Sequence, residues 1–143
     1  MIWKNNLSVE QINDLSKNTA TEQLGIVFKE IGEDYLRAEM PVDNRTVQPF
    51  RVLHGGASVL LAETLGSIAS TLCIDLSQFQ AVGIEINASH LSSVREGTKV
   101  IGTVRPIRVG RSIHVWTIDI KDENDKMICT SRLTIAVVQR SNM

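Results

Sequence analysis

An α+β fold, with a long central helix wrapped by a curved antiparallel sheet, is predicted by three observations. One long helix-patterned stretch carries almost no charge, two extended segments precede it and four follow it, and turn residues separate those segments. The helical stretch runs from Gly55 to Cys73 without a proline; Val59, Leu60, Ala62, Ile68, Ala69 and Leu72 recur at helical spacings, and Glu63 is the only formal charge. A surface helix of this length normally shows a charged face, so this one is expected to be covered by other structure. At its start, two glycines follow His54. They allow close approach to the backbone, where the first N–H groups have no internal partner and carry the positive end of the helix dipole. Such a terminus seats an anion or a developing oxyanion.

Glu63 needs an explanation, because a carboxylate in an uncharged helix is paired, protonated or functional. Its helical neighbours Val59, Leu60, Gly66 and Ser67 provide no cation. Burial without a cation would raise its pKa, which suits a general base or a poised nucleophile. The alternative is a carboxylate at a seam, facing water.

The remaining elements follow in order. Ser8-Val9-Glu10-Gln11 fits a capping box, with Leu7 and Ile12 placed as a staple, so a helix is expected from about Val9 to Lys17. Thr19-Ala20-Thr21-Glu22 repeats the cap, and Gly25 closes one further turn. Ile26–Ile31 and Tyr35–Met40, joined by Gly32-Glu33-Asp34, form a hairpin. A polar loop from Asp43 to Arg51 carries Gln48-Pro49-Phe50 just before the long helix. Four extended runs then follow, about Ala81–Ser92, Lys99–Val109, Ser112–Lys121 and Met127–Val138, punctuated by Gly97, Gly110 and Asp122-Glu123-Asn124-Asp125. In the third run the even positions His114, Trp116, Ile118 and Ile120 are the heavier set, which implies one packed face. Open strand edges must be covered or paired, so dimerisation is expected.

The 143 residues fit one domain, residues 1–143. With 15 basic and 16 acidic residues the net charge is −1, which gives no electrostatic footprint for nucleic acid or an anionic membrane. Cys73 and Cys129 sit in apolar runs without metal-ligand spacing and read as buried thiols in a reducing compartment. The start lacks a basic segment followed by an apolar core, so no signal peptide is expected and a soluble cytoplasmic protein is. His54, His90 and Glu63 lack a tight ligand pair such as HExxH, and no G-x-S-x-G elbow occurs.

Across essentially its whole length the chain resembles the hotdog-fold acyl-CoA thioesterases, specifically their bacterial aryl-CoA branch. The resemblance lies in Met1-Ile2-Trp3-Lys4, Met40-Pro41-Val42-Asp43, Arg45-Thr46, Gln48-Pro49-Phe50, Leu53-His54-Gly55-Gly56-Ala57-Ser58, Ala62-Glu63 with Gly66-Ser67, Glu85-Ile86-Asn87-Ala88, Val115-Trp116 and Ser131-Arg132-Leu133-Thr134. It implies a single hotdog domain that hydrolyses an aryl-CoA thioester, with 1,4-dihydroxy-2-naphthoyl-CoA of menaquinone synthesis as the implied substrate and no metal or organic cofactor. Glu63 would be nucleophile or general base, and the Gly55 N–H would polarise the thioester carbonyl. Gln48 and His54 would support that end, and Ser67 would hold the carboxylate or a water. Gly83 would line the acyl end. His90, Leu91, Ser92 and Ser93, with Arg108, Val109, Gly110, Arg111 and Ser112, would contact CoA. Arg105, Arg108 and Arg111 are expected to cluster beside a turn, where their charge suits phosphates. In two places the chain departs from its close relatives, which have glycine at Arg51 and a basic residue at Ser92.

Gly55 and Glu63 lie eight residues apart, about 12 Å along one helix, too far for both to act on one carbonyl within a chain. The resemblance therefore implies a homodimer with shared active sites, and a homotetramer as a dimer of dimers. Two other readings stay open: proofreading hydrolysis of thioesters on an acyl-carrier protein, and a non-catalytic acyl-CoA-binding module, because fold alone does not fix function.

Overall fold

The computed structural model describes residues 1–140. Its elements run α1 (Val9–Leu15), α2 (Ala20–Gln23), β1 (Val27–Ile31), β2 (Leu36–Val42), α3 (Gly55–Leu72), β3 (Phe79–His90), β4 (Thr98–Val109), β5 (Ile113–Asp122) and β6 (Met127–Gln139). The strands form one six-stranded antiparallel sheet in the order β1-β2-β4-β5-β6-β3. The chain leaves β2, crosses the sheet as α3, and returns along the far edge as β3, before the meander β4-β5-β6 fills the space between. This is the hotdog arrangement.

Strand alternation builds the inner face. Leu36, Ala38, Met40 and Val42 of β2, Val100 and Val104 of β4, and Leu133 and Ile135 of β6 are buried at every second position. On β5 the buried set is His114, Trp116, Ile118 and Ile120, the even register expected from the sequence. Against this face α3 lays a stripe of Ala57, Ser58, Leu61, Ala62, Leu65, Gly66, Ala69, Ser70 and Leu72. Glycine notches bring helix and sheet together from both sides. A Cβ at Gly66 would stand 2.4 Å from Leu133 Cδ2, and one at Gly102 of β4 would stand 2.7 Å from Leu65 Cδ1.

Three local expectations need correction. Glu63 is exposed on the chain rather than buried, and Val59, Leu60, Thr64, Ser67 and Ile68 of the same helix are half-buried. Helix α1 stops at Leu15, short of Lys17, although its capping box forms, with the Gln11 N–H donating to Ser8 Oγ at 3.1 Å and the Ser8 N–H to Gln11 Oε1 at 2.8 Å. Thr19 does not cap α2; its hydroxyl instead donates to the Ser16 carbonyl at 2.6 Å.

The first residues tie down the C-terminal end of α3, where the last carbonyls lack helical partners. The Lys4 and Asn5 N–H groups donate to the Leu72 carbonyl at 2.7 and 3.0 Å, and the Asn5 amide reaches the Thr71 and Ile74 carbonyls at 2.8 and 2.9 Å. Trp3 donates to the Gly32 carbonyl at 2.8 Å and stacks on Trp116 with ring centroids 6.4 Å apart. Beneath it lies a buried polar link. Ser70 Oγ accepts the Trp116 indole N–H at 2.7 Å and lies 2.8 Å from His114 Nδ1. Because that oxygen already accepts from Trp116, its proton is best used toward Nδ1, which makes His114 the neutral Nε2–H form. Burial holds the His114 pKa below the usual histidine value, opposed by the Gly110 carbonyl.

The two sheet edges are treated differently. On β1 the Asn13 side chain donates to the Phe28 carbonyl at 3.0 Å and accepts the Phe28 N–H at 2.8 Å, as a neighbouring strand would. On β3 no element of the described residues covers the outer edge, and Val82 and Ile84 stand 42% and 57% exposed.

Candidate active site

The loop after β2 is built to present the start of α3. Thr46 is buried; its hydroxyl donates to the Pro41 carbonyl at 2.7 Å, and its own carbonyl accepts the His54 N–H at 2.8 Å. His54, extended at φ −72°, is the N-cap, and its Nδ1 accepts the Gly56 N–H at 2.8 Å. An accepting Nδ1 places the ring proton on Nε2. The cap takes the second glycine's N–H and leaves the first: among the described residues the Gly55 N–H has no acceptor. Gly55 is also hemmed in, since a Cβ there would stand 2.8 Å from His90 Nε2, at the end of β3.

A cleft of about 400 Å³ opens at this point, lined by Gln48, Val52, Leu53, Gly55, Ser58, His90, Leu91, Ser92, Ser93 and Ile128. Gln48 is set by its own turn: its Oε1 accepts the Phe50 N–H and its carbonyl accepts the Arg51 N–H at 2.8 Å, which leaves the amide N–H groups for the cleft. The turn from β3 is anchored from beneath, the Leu91 N–H donating to the Ile128 carbonyl at 2.7 Å. The structure thus gathers Gln48, Gly55, His90, Leu91, Ser92 and Ser93 around one opening.

Other sequence candidates lie elsewhere on the chain. Glu63 is two helical turns further on, its Oε2 3.1 Å from where a Cβ on Gly83 would be, beside an irregularity in β3 between Gly83 and Glu85. Neither Glu63, Ser67 nor Gly83 lines the cleft. Val109, Gly110 and Arg111 line a second cavity of about 360 Å³ at the opposite end of α3, with Ile2, Lys4, Cys73, Ile74, Asp75, Phe79, His114 and Val137. Of the three arginines expected to cluster, Arg105 lies apart. Arg105 pairs with Asp34 at 3.7 Å and stacks on the Tyr35 ring at 4.7 Å, whereas Arg108 folds over Gly110. The irregularity between Pro106 and Arg108 accompanies this divergence. His54 faces its own helix rather than the opening. Both cysteines are buried free thiols, with Cys73 pushed up to about 11 by burial, well removed from a nucleophilic thiolate.

Sequence reasoning passed over Ser58, Val52, Leu53 and Ile128 as cleft residues. Ser58 was accessible, since it lies one turn after Gly55 on the same face; Ile128 was not, because only the pairing of β3 with β6 brings it there. Arg51, where the close relatives have glycine and where a side chain could reshape the acyl mouth or take a phosphate contact, adopts φ +63°. That is the left-handed region glycine occupies freely and other residues enter at a cost of about 1–2 kcal/mol.

The chain matches the thioesterase superfamily model over residues 50–129. It is 48% identical to the 1,4-dihydroxy-2-naphthoyl-CoA hydrolase of Escherichia coli, over 96% of this chain and 100% of that protein. It is 49% identical to the proofreading thioesterase EntH of Cronobacter sakazakii, over 96% and 99% respectively. Among solved structures, a Haemophilus influenzae thioesterase superposes with a TM-score of 0.93 at 50% identity, covering 97% of this chain and 96% of that one. The free helix terminus, the cleft beside it and these likenesses coincide: the chain belongs to the thioesterase superfamily, as a hotdog-fold thioester hydrolase.

Proposed function

We propose that the protein hydrolyses an aryl-CoA thioester, with 1,4-dihydroxy-2-naphthoyl-CoA as first candidate, at sites shared between two copies of the chain. The observation that carries this reading is the Gly55 N–H at the start of α3, without an acceptor among the described residues and beside a cleft that Gly55, Gln48 and His90 line together. A thioester carbonyl bound there gains a hydrogen bond and the helix dipole as its oxygen becomes negative. Glu63 and Ser67 come from the partner subunit. The Glu63 carboxylate either takes a proton from the attacking water or attacks the carbonyl carbon itself, giving an anhydride that water then opens. In both routes the C–S bond breaks and the thiolate of CoA leaves, to be protonated by solvent.

The open β3 edge supports this assembly. Its midpoint falls between Ile84 and Glu85. Antiparallel pairing of two copies about that point sets the partner's Gly83, with Glu63 against it, opposite Ile86. That is three residues nearer His90 than the chain's own Gly83. The same pairing sets His90 opposite the partner's Phe79, which borders the cavity holding Val109–Arg111. The turn at residues 91–93 and the loop at residues 108–112, separate on one chain, then face one binding channel. A further dimer of dimers is compatible with this edge pairing, which leaves the outer sheet face free.

The test is hydrolysis of 1-hydroxy-2-naphthoyl-CoA, benzoyl-CoA and a medium-chain acyl-CoA by wild type and Glu63→Gln. Removal of a general base or nucleophile is expected to cost at least about 10²-fold in kcat. A variant retaining more than a tenth of wild-type kcat removes Glu63 from this role. Hybrid dimers of a Glu63→Gln chain and a chain altered at Gly55 should regain part of the activity, since one of their two sites is intact.

A further inference from the structure

We propose that the Arg51–Glu96 ion pair is a clasp across the mouth of the cleft, which holds the Gln48–Leu53 loop against the Val94–Gly97 turn and sets the width of thioester admitted. This rests on the reading of the cleft as the thioester site. Arg51 Nη2 pairs with Glu96 Oε2. The two segments are also joined through the backbone. The Leu53 N–H donates to the Val94 carbonyl at 2.7 Å, the Glu96 N–H to the Arg51 carbonyl at 3.2 Å, and Val52 bridges to Arg95. The far segment is itself anchored, the Gly97 N–H donating to the Val42 carbonyl at 2.8 Å.

The loop lines the cleft directly, and the turn follows on from residues that line it. Gln48, Val52 and Leu53 stand on one side, and Leu91, Ser92 and Ser93 on the chain leading into the other. The turn that aims Gln48 is closed by the Arg51 N–H on the Gln48 carbonyl. The conformation at position 51 therefore fixes both the loop's distance from the opposite wall and the direction of the Gln48 amide. A long cationic residue in the left-handed region is a strained choice, and the contact its side chain makes in return is the one to Glu96. Both side chains are partly exposed, 56% and 38%, so the pair contributes little to global stability and is screened by salt. Arg51 and Glu96 are thus positioning residues: they touch no reacting atom and act through where they hold the loop.

The experiment compares wild type, Arg51→Gly, Arg51→Lys and Glu96→Gln. Arg51→Gly keeps the left-handed backbone and loses the pair; Glu96→Gln loses the charge and leaves position 51 alone. Amide hydrogen exchange of substrate-free protein should rise severalfold in residues 48–53 and 94–97 in both, with Arg51→Lys nearer wild type. In steady-state assays KM for the aryl-CoA should rise about 3–10-fold with kcat within about twofold, the preference for aryl over medium-chain thioesters should narrow, and 0.5 M salt should produce the same shift in wild type but not in Arg51→Gly. A merely structural pair would not split KM from kcat in this way. Unchanged exchange in both variants overturns the clasp whatever the enzyme hydrolyses. Raised exchange with unchanged KM and selectivity overturns its role at the mouth. A wild type inactive on every thioester of the panel overturns the reading of the site, with the exchange result standing apart.

Discussion

Ser70→Ala removes one oxygen from the centre of the molecule, and the structure sets what that costs. Ser70 and Trp116 are fully buried and His114 is 1% exposed, so water does not replace the lost partner. Two groups are orphaned together: the Trp116 indole N–H, held at 2.7 Å, and His114 Nδ1, held at 2.8 Å. A buried polar group left unsatisfied costs about 1–3 kcal/mol, so the pair predicts a loss of about 2–6 kcal/mol. Against a typical domain stability of about 5–15 kcal/mol that is a large fraction. Urea unfolding followed by tryptophan fluorescence and circular dichroism measures it directly, because Trp116 reports on the altered site. His114→Phe in the same background should recover part of the loss, since it withdraws one orphan, giving a coupling above about 1 kcal/mol in the double-mutant cycle. A loss below about 1 kcal/mol with an unchanged urea slope, or strict additivity, would refute the hydrogen-bond accounting at Ser70.

The same histidine predicts a pH dependence. Burial depresses the His114 pKa in the folded protein, so below about pH 6.5 the unfolded chain takes a proton that the folded one refuses. Stability is then complete above that pH and falls as acid is added, and a melting series from pH 7.5 to 5.5 should flatten in His114→Gln; an equal slope in both proteins would show that other groups dominate. Gly66→Ala sets two effects against each other. Helix propensity favours alanine by about 1 kcal/mol, whereas the new Cβ would lie 2.4 Å from Leu133 Cδ2 and overpacking costs about 1–3 kcal/mol. Net destabilisation is expected, and a raised melting temperature would contradict the contact.

Much of the architecture was legible in the sequence because it rests on local periodicity. The two-plus-four strand order, the uninterrupted helix from Gly55 and the even-numbered face of β5 each follow from spacing within one segment. The errors share a different origin. Thr19 has a cap's chemistry, but the turn before it offers the Ser16 carbonyl, and the hydroxyl takes that instead. Glu63 looked buried because its own helix lacks charge, yet the sheet covers only one side of that helix, and nothing in the helix sequence says which. Arg105, Arg108 and Arg111 are neighbours in sequence, but Arg105 stacks on Tyr35, just before β2, and pairs with Asp34, while a register irregularity separates it from Arg108. In the site, the helix terminus was readable from His54-Gly55-Gly56, whereas Ile128 and the nearness of His90 to Gly55 depend on β3 returning to pair with β6, a long-range choice with no local signal.

The amide of Asn13 has a consequence for how this protein behaves at high concentration. By answering both backbone groups of Phe28, it blocks the β1 edge at that residue, while among the described residues nothing covers the β3 edge. Material that can add from one side only cannot propagate: after two units join, both outward sides are finished ones, and a fibre has nowhere to continue. Replacing that asparagine would therefore do more than loosen a short helix. In the pair proposed above, joined through β3, it would leave both outward sides adhesive, the starting condition for end-to-end polymerisation.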